Sequence, residues 1–281
     1  MSDLHAINDA INKRAGRKLL PSIAVGLSLI ALVWFSLAFE RTLFAALVAI
    51  AIGLGIRELV RALGYSDIYV SGRALAIATG GLAASTWFGG INGLAISTAI
   101  AFPLLLISLL RRGPEKFVAS ATATTLALIY LPFMAGFLIL LARPSNGLAR
   151  VMTFVVLVGC NDTFGYVVGV LFGKHPLVPS ISPKKSWEGL AGSVIFTSIG
   201  GALAFNYILD TKWWYGVGAA LMINFTATMG DLIESALKRD MSLKDMGSLL
   251  PGHGGILDRL DSVLLSAPAL WLALELVKRY L

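Results

Sequence analysis

The sequence is poor in the features on which a soluble enzyme relies. It holds one cysteine, Cys160, which excludes an internal disulfide framework and any metal site built from several thiolates. Cys160 lies in an apolar stretch and reads as a small packing residue. Charged residues fill only 14% of 281 positions against 57% hydrophobic ones, and the mean hydropathy is +0.79, which excludes a soluble reading. No internal repeat, low-complexity tract or linker marks a second domain. The first apolar run is too long for a cleavable signal and has no clear small-residue cleavage site. The net charge of +7 is not gathered into one patch or stripe with interleaved aromatics, so nucleic acid is excluded as a partner.

What is present in quantity is the long uncharged run. Leu20 to Phe39 alone is long enough to cross a hydrocarbon core of about 30 Å. The pattern predicts an all-α, polytopic integral membrane protein with about nine transmembrane helices, near 20–39, 42–60, 74–90, 92–110, 117–141, 151–173, 189–209, 213–235 and 262–280. The end of the second is interrupted by Arg57 and Glu58. The third and fourth share one uncharged run from Ala74 to Leu110, divided at "FGGIN", whose glycines and asparagine suit a tight turn. With the N-terminus in the cytoplasm, seventeen Lys and Arg residues fall on the cytoplasmic side and six on the other, which predicts N-in and C-out. Residues 1–18 then form a cytoplasmic tail, 19–145 a membrane scaffold, and 146–281 a catalytic region. Its two polar loops, 174–188 and 236–261, face the same side and are free to converge.

Each loop carries a candidate constellation. In "TMGDLIESALKRD", Asp231, Ser235 and Lys238 share one helical face, with Glu234 four residues before Lys238. A carboxylate at that depth must be paired, hydrated or bound to a cation. Further on, "PGHGGILDRLD" sets Gly254 and Gly255 beside His253, a loop whose backbone amides suit an anion. Asp258 and Asp261 follow one turn apart, and hard oxygen ligands suit magnesium and, through it, phosphate substrates. In the other loop, Ser182, Lys184, Lys185 and Ser186 around Pro183 suit a phosphate clamp, or equally an anchor on anionic headgroups. Asp162, roughly 16 Å of helix before Phe172, calls for a polar cavity or a partner.

The stretch Ser235 to Asp261 resembles the signature of the phosphatidate cytidylyltransferase (CDP-diacylglycerol synthase) family. Ser235, Lys238, Arg239, Lys244, Asp245, Pro251, His253, Gly254, Gly255, Asp258, Arg259 and Asp261 stand at the matching spacings. The resemblance extends through "NDTFGYVVGVLFGKH" and "SPKKSWEG" and covers roughly residues 160–261. Val170 stands where members often carry Arg, and Ser186 where Thr is frequent. The resemblance implies transfer of a cytidylyl group from CTP to phosphatidic acid, releasing pyrophosphate, with Mg2+ and a possible second cation as cofactors. It implies Asp231, Asp258, Lys238, Arg239 and His253 as catalytic residues, and Asp231, Asp258 and Asp261 as metal ligands. Ser182, Lys184, Lys185, Ser186, Lys244, Gly254, Gly255 and Arg259 would contact phosphates, supported by Asp162, Glu188, Glu234 and Asp245. A bacterial cytoplasmic membrane, a site facing the cytoplasm and a homodimer follow from the same resemblance. An enzyme acting on another lipid phosphate or alcohol and an ion-coupled transporter are the alternatives, the second because Asp162 and Asp231 also suit an ion path.

Overall fold

The computed structural model describes residues 19–247 and 254–279, and they are almost wholly helical. In chain order the helices are α1 (Leu19–Phe39), α2 (Arg41–Gly64), α3 (Gly72–Leu110), α4 (Phe117–Leu128), α5 (Met134–Ala142), α6 (Gly147–Phe172), α7 (Trp187–Tyr207), α8 (Trp213–Asp240) and α9 (Leu257–Arg279). A π-helical turn, Ile129–Phe133, joins α4 to α5; Pro132 within it brings no N–H to the ladder. Two short strands, β1 (Pro176–Val178) and β2 (Ser182–Ser186), pair antiparallel between α6 and α7. Among the described residues seven helical stretches are long and apolar enough to cross a membrane, with α4, the π turn and α5 counted together. The chain is an integral membrane protein. Apolar residues such as Ile77, Phe102, Ile199 and Phe225 are exposed on its outer surface, as hydrocarbon permits.

The third and fourth expected spans both fall in α3, whose 39 residues would reach about 58 Å if straight. They do not run straight. Gly90 adopts φ 62° and ψ −142°, outside the helical region and accessible chiefly to glycine. A methyl group on Gly93 would collide with the carbonyl of Ser85, which a straight helix would hold about 12 Å away. The two ends of α3 accordingly meet. Asp67 before it pairs with Lys116 after it at 3.4 Å, and the Arg112 guanidinium lies 3.7 Å over the Tyr69 ring. The turn at Gly90 is held from the other side by Arg143, which donates to the carbonyls of Trp87 (2.8 Å) and Phe88 (3.2 Å). Arg41 in turn donates to the carbonyls of Arg143 and Pro144. These guanidiniums satisfy carbonyls that have no partner at a helix end.

The second expected span also runs further than its charges suggested. α2 continues through Arg57, which is exposed, and Glu58, which is buried, to Gly64.

The helices of the second half, α6 to α9, pack most extensively in sequence order. Phe164 and Phe196 stack at 4.1 Å between α6 and α7. Absent side chains allow the closest crossings. A methyl group on Gly201 or Gly216 would strike the other's carbonyl across α7 and α8, and one on Gly230 would strike the carbonyl of Asp261 across α8 and α9.

Candidate active site

The end of α8 is the platform of the site. Trp213, Trp214 and Tyr215 open this helix, and such aromatic groups favour a membrane–water boundary. Asp231 follows about 27 Å of rise later, close to the thickness of a hydrocarbon core. The last turns of α8 therefore emerge on the far side, where the α6–α7 hairpin folds over them. Lys185 of β2 reaches Asp231 at 2.7 Å and points its ammonium at the Thr228 carbonyl at 3.5 Å. Arg239 donates to the Ile181 carbonyl at 3.4 Å, beside the hairpin tip. The two polar loops thus converge.

The hairpin is tied at its base. Glu188 accepts from the amides of Lys174 (3.1 Å) and His175 (3.2 Å) and meets His175 Nδ1 at 2.6 Å. Ser186 Oγ caps α7 by accepting from the Gly189 amide at 3.1 Å. These anchors explain why a proline-rich stretch forms strands that its own residue types do not specify.

α9 runs antiparallel to α8, so residues late in one meet residues early in the other. Lys238 Nζ lies 2.9 Å from Asp258 Oδ1 and 3.1 Å from Glu234 Oε1. The second contact is an ion pair without hydrogen-bond alignment, and both Glu234 oxygens are buried without a hydrogen-bond partner. One turn into α9, Asp261 lies within electrostatic reach of Asp231 and Asp162, and its Oδ1 accepts from the Ser262 amide at 2.7 Å. Asp162 accepts from Asn161 Nδ2 (2.9 Å) and Ser262 Oγ (3.0 Å). Behind it, buried Asn224 donates to Asn161 Oδ1 and to Ser193 Oγ, linking α6, α7 and α8 through amide groups.

The amides of Met246, Gly255, Ile256 and Leu257 are already engaged. Asp258 Oδ2 accepts from Gly255 (2.8 Å) and from Met246 (3.0 Å). Glu58, from α2, accepts from Ile256 (3.1 Å) and Leu257 (3.0 Å). At Gly255, expected to contact phosphate, the amide donates to the protein's own Asp258 carboxylate. The helix N-terminus favours negative charge, and Asp258 and Glu58 supply it. Gly254 has φ 80°, and a side chain there would press on Asp258 Oδ2.

Of the expected site residues, Asp231, Asp258, Lys238, Arg239, Lys185, Glu234, Asp261 and Asp162 gather around the α8–α9 crossing. Asp231 and Asp258 take different partners, Lys185 with Ser235 and Lys238 with two amides. Ser182 and Ser186 lie on β2 with Lys184, which is exposed, as are Lys244 and Asp245. Arg259 lies in the first turn of α9. His253 and Pro251 lie outside the described residues. Two residues went unnoticed in the sequence. Glu58 read only as an interruption of an apolar span. Tyr130, buried on the π turn with an unpartnered hydroxyl, lies within electrostatic reach of Glu234, Asp261 and Asp231.

Among the described residues no three His, Cys, Asp or Glu side chains are grouped closely enough to cage a metal alone. Magnesium commonly takes one or two carboxylates and completes its shell with water and substrate phosphate. Asp231 and Asp261, within electrostatic reach of each other, offer that donor set. The residues present fit a hard divalent cation.

Residues 22–277 match the model of the cytidylyltransferase family. A protein of Mycobacterium bovis named phosphatidate cytidylyltransferase is 37% identical over 94% of this chain and 90% of its own length. One of the same name from Mycobacterium leprae is 37% identical over the same shares. Another from Staphylococcus aureus is 36% identical over 61% of this chain and 65% of its own.

Proposed function

The chain belongs to the cytidylyltransferase family, and from that premise we infer that it transfers the cytidylyl group of CTP to phosphatidic acid, giving CDP-diacylglycerol and pyrophosphate. It is a membrane-embedded nucleotidyltransferase. The observation that carries the reading is the convergence of β2 on the acids of the α8–α9 crossing, with Lys185 2.7 Å from Asp231.

The chemistry asks little of a general base, because the attacking phosphate oxygen is already anionic at neutral pH. It asks for control of charge and for an in-line approach of one polyanion to another. Lys184, Lys185 and Arg239 are the groups we assign to the phosphates of CTP and lipid. Asp231 holds the Lys185 ammonium in place, and Asp258 does the same for Lys238. Asp231 and Asp261 would hold Mg2+, which supplies neutralisation of the charge that builds on the pyrophosphate leaving group. Asp162 keeps its carboxylate aimed at the crossing through Ser262 and Asn161.

The topology in this reading has nine crossings, N-in and C-out, with the site on the cytoplasmic side. It is supported by the return of α3 at Gly90 and by the meeting of Asp67 with Lys116. A single crossing by α3 would put those two on opposite faces. A homodimer belongs to the same reading, and cross-linking in native membranes tests it. The reaction is tested with purified protein, CTP, phosphatidic acid and magnesium. Pyrophosphate and a CDP-lipid should form only when all three are added. Product from another lipid phosphate but none from phosphatidic acid would overturn the substrate assignment.

A further inference from the structure

One contact outside the site described above joins the two halves of the chain. Glu58 is 7% exposed, lies near the end of α2, and sends its carboxylate to the amides of Ile256 and Leu257, some two hundred positions away. A methyl group on Gly255 would collide with Glu58 Oε2, and one on Gly247 with Glu58 Oε1. Two glycines within the α8–α9 connection are thus shaped around one carboxylate from the other half of the chain. The preceding amide, that of Gly255, belongs to Asp258, as does the amide of Met246. The carboxylates of Glu58 and Asp258 lie side by side on one run of backbone, and the remaining oxygen of Asp258 holds Lys238 at 2.9 Å.

We propose that Glu58 is a positioning residue for the cytidylyl transfer: it fixes the first turn of α9, through that turn the Asp258 carboxylate, and through Asp258 the Lys238 ammonium. The proposal rests on the function assigned above. Glu58 itself touches neither substrate. Its charge matters as well as its shape. A carboxylate accepts from both amides at once, whereas a glutamine of the same size must turn its NH2 toward one of them. That leaves a buried donor facing a donor and lets the start of α9 shift. A displacement of about 1 Å in a group that orients reacting atoms costs up to roughly a hundredfold in rate.

The test uses full-length protein in lipid-containing micelles. Glu58→Gln should lower turnover by about tenfold to a hundredfold while KM for CTP and for phosphatidic acid stay within about twofold. CTP-binding stoichiometry on the same preparations separates positioning from loss of fold. It should remain that of the wild type, so that turnover per binding site falls. If binding sites vanish in step with turnover, Glu58 only holds the fold and the proposal fails. Should Glu58→Gln not fold, a second pair of variants decides. Gly255→Ala should be slow, because its methyl group meets the carboxylate. Glu58→Ala with Gly255→Ala should be no slower than Glu58→Ala alone, because the collision partner is gone. Multiplied losses would overturn the proposal. An inactive wild type would instead overturn the assigned reaction, so the two failures are distinct.

Discussion

Lys238 stands between two carboxylates, and the structure says which of them the protein can spare. Its side chain is 14% exposed, that of Asp258 6% and that of Glu234 0%. Asp258→Asn keeps the volume and one acceptor oxygen. If that oxygen stays with the amides of Met246 and Gly255, the new NH2 faces the lysine ammonium at a distance set for attraction, 2.9 Å. The lost charge-assisted hydrogen bond is worth about 1.5–3 kcal/mol, partly offset because Lys238 keeps Glu234. A net cost of about 2 kcal/mol corresponds to a fall of roughly 4–8 °C in apparent melting temperature for a chain of this size. Glu234→Gln replaces a buried carboxyl group that lies 3.1 Å from Lys238 without an aligned hydrogen bond, and leaves Lys238 and Asp258 as a matched pair. Its cost should be within about 1 kcal/mol of zero, of either sign. Tryptophan-fluorescence melting in lipid-containing micelles reads both variants, and CTP turnover should be lost in Asp258→Asn. Equal melting points, or a larger loss in Glu234→Gln, would refute the view that Asp258 is the committed partner of Lys238.

Lys185→Gln should lower kcat/KM for CTP by roughly tenfold to a hundredfold, and by more than Lys184→Gln, because only Lys185 is held in place by Asp231; steady-state assays over CTP concentration check the order. Gly230→Ala should destabilise the protein by about 1–3 kcal/mol, since its methyl group strikes the Asp261 carbonyl, whereas Gly218→Ala, which meets nothing within 4 Å, should leave melting and turnover unchanged. Asn224→Ala strips Asn161 and Ser193 of a buried donor and should cost about 1–3 kcal/mol in melting while turnover per folded molecule stays near wild type.

Sequence and structure agree most where one physical signal dominates. Uncharged runs mark the helices because hydrocarbon tolerates nothing else there. The glycine pair at "FGGIN" marks the return of α3. The face shared by Asp231, Glu234, Ser235 and Lys238 is legible because it repeats at helical spacing. The contacts that were not legible cross long stretches of chain. Periodicity gives no means of pairing Glu58 with Leu257, and its carboxylate looks in sequence like an ordinary interfacial charge. The Gly255 amide is taken by Asp258 of α9, and the next two amides, of Ile256 and Leu257, by Glu58 from a helix that looked like scaffold. The strands β1 and β2 escaped notice because Glu188 and Arg239, rather than β propensity, hold them.

The cap on the turn at Gly90 has a consequence for how the protein is made. Arg143 lies 55 and 56 positions beyond the carbonyls it serves. A ribosome finishes the turn well before it delivers the guanidinium, and until then Trp87 and Phe88 must give those oxygens to water. Nascent α3 is therefore obliged to keep its bend at the bilayer surface, wet, while the next helical hairpin is threaded in. Truncation before Arg143 would strand the turn in that provisional state.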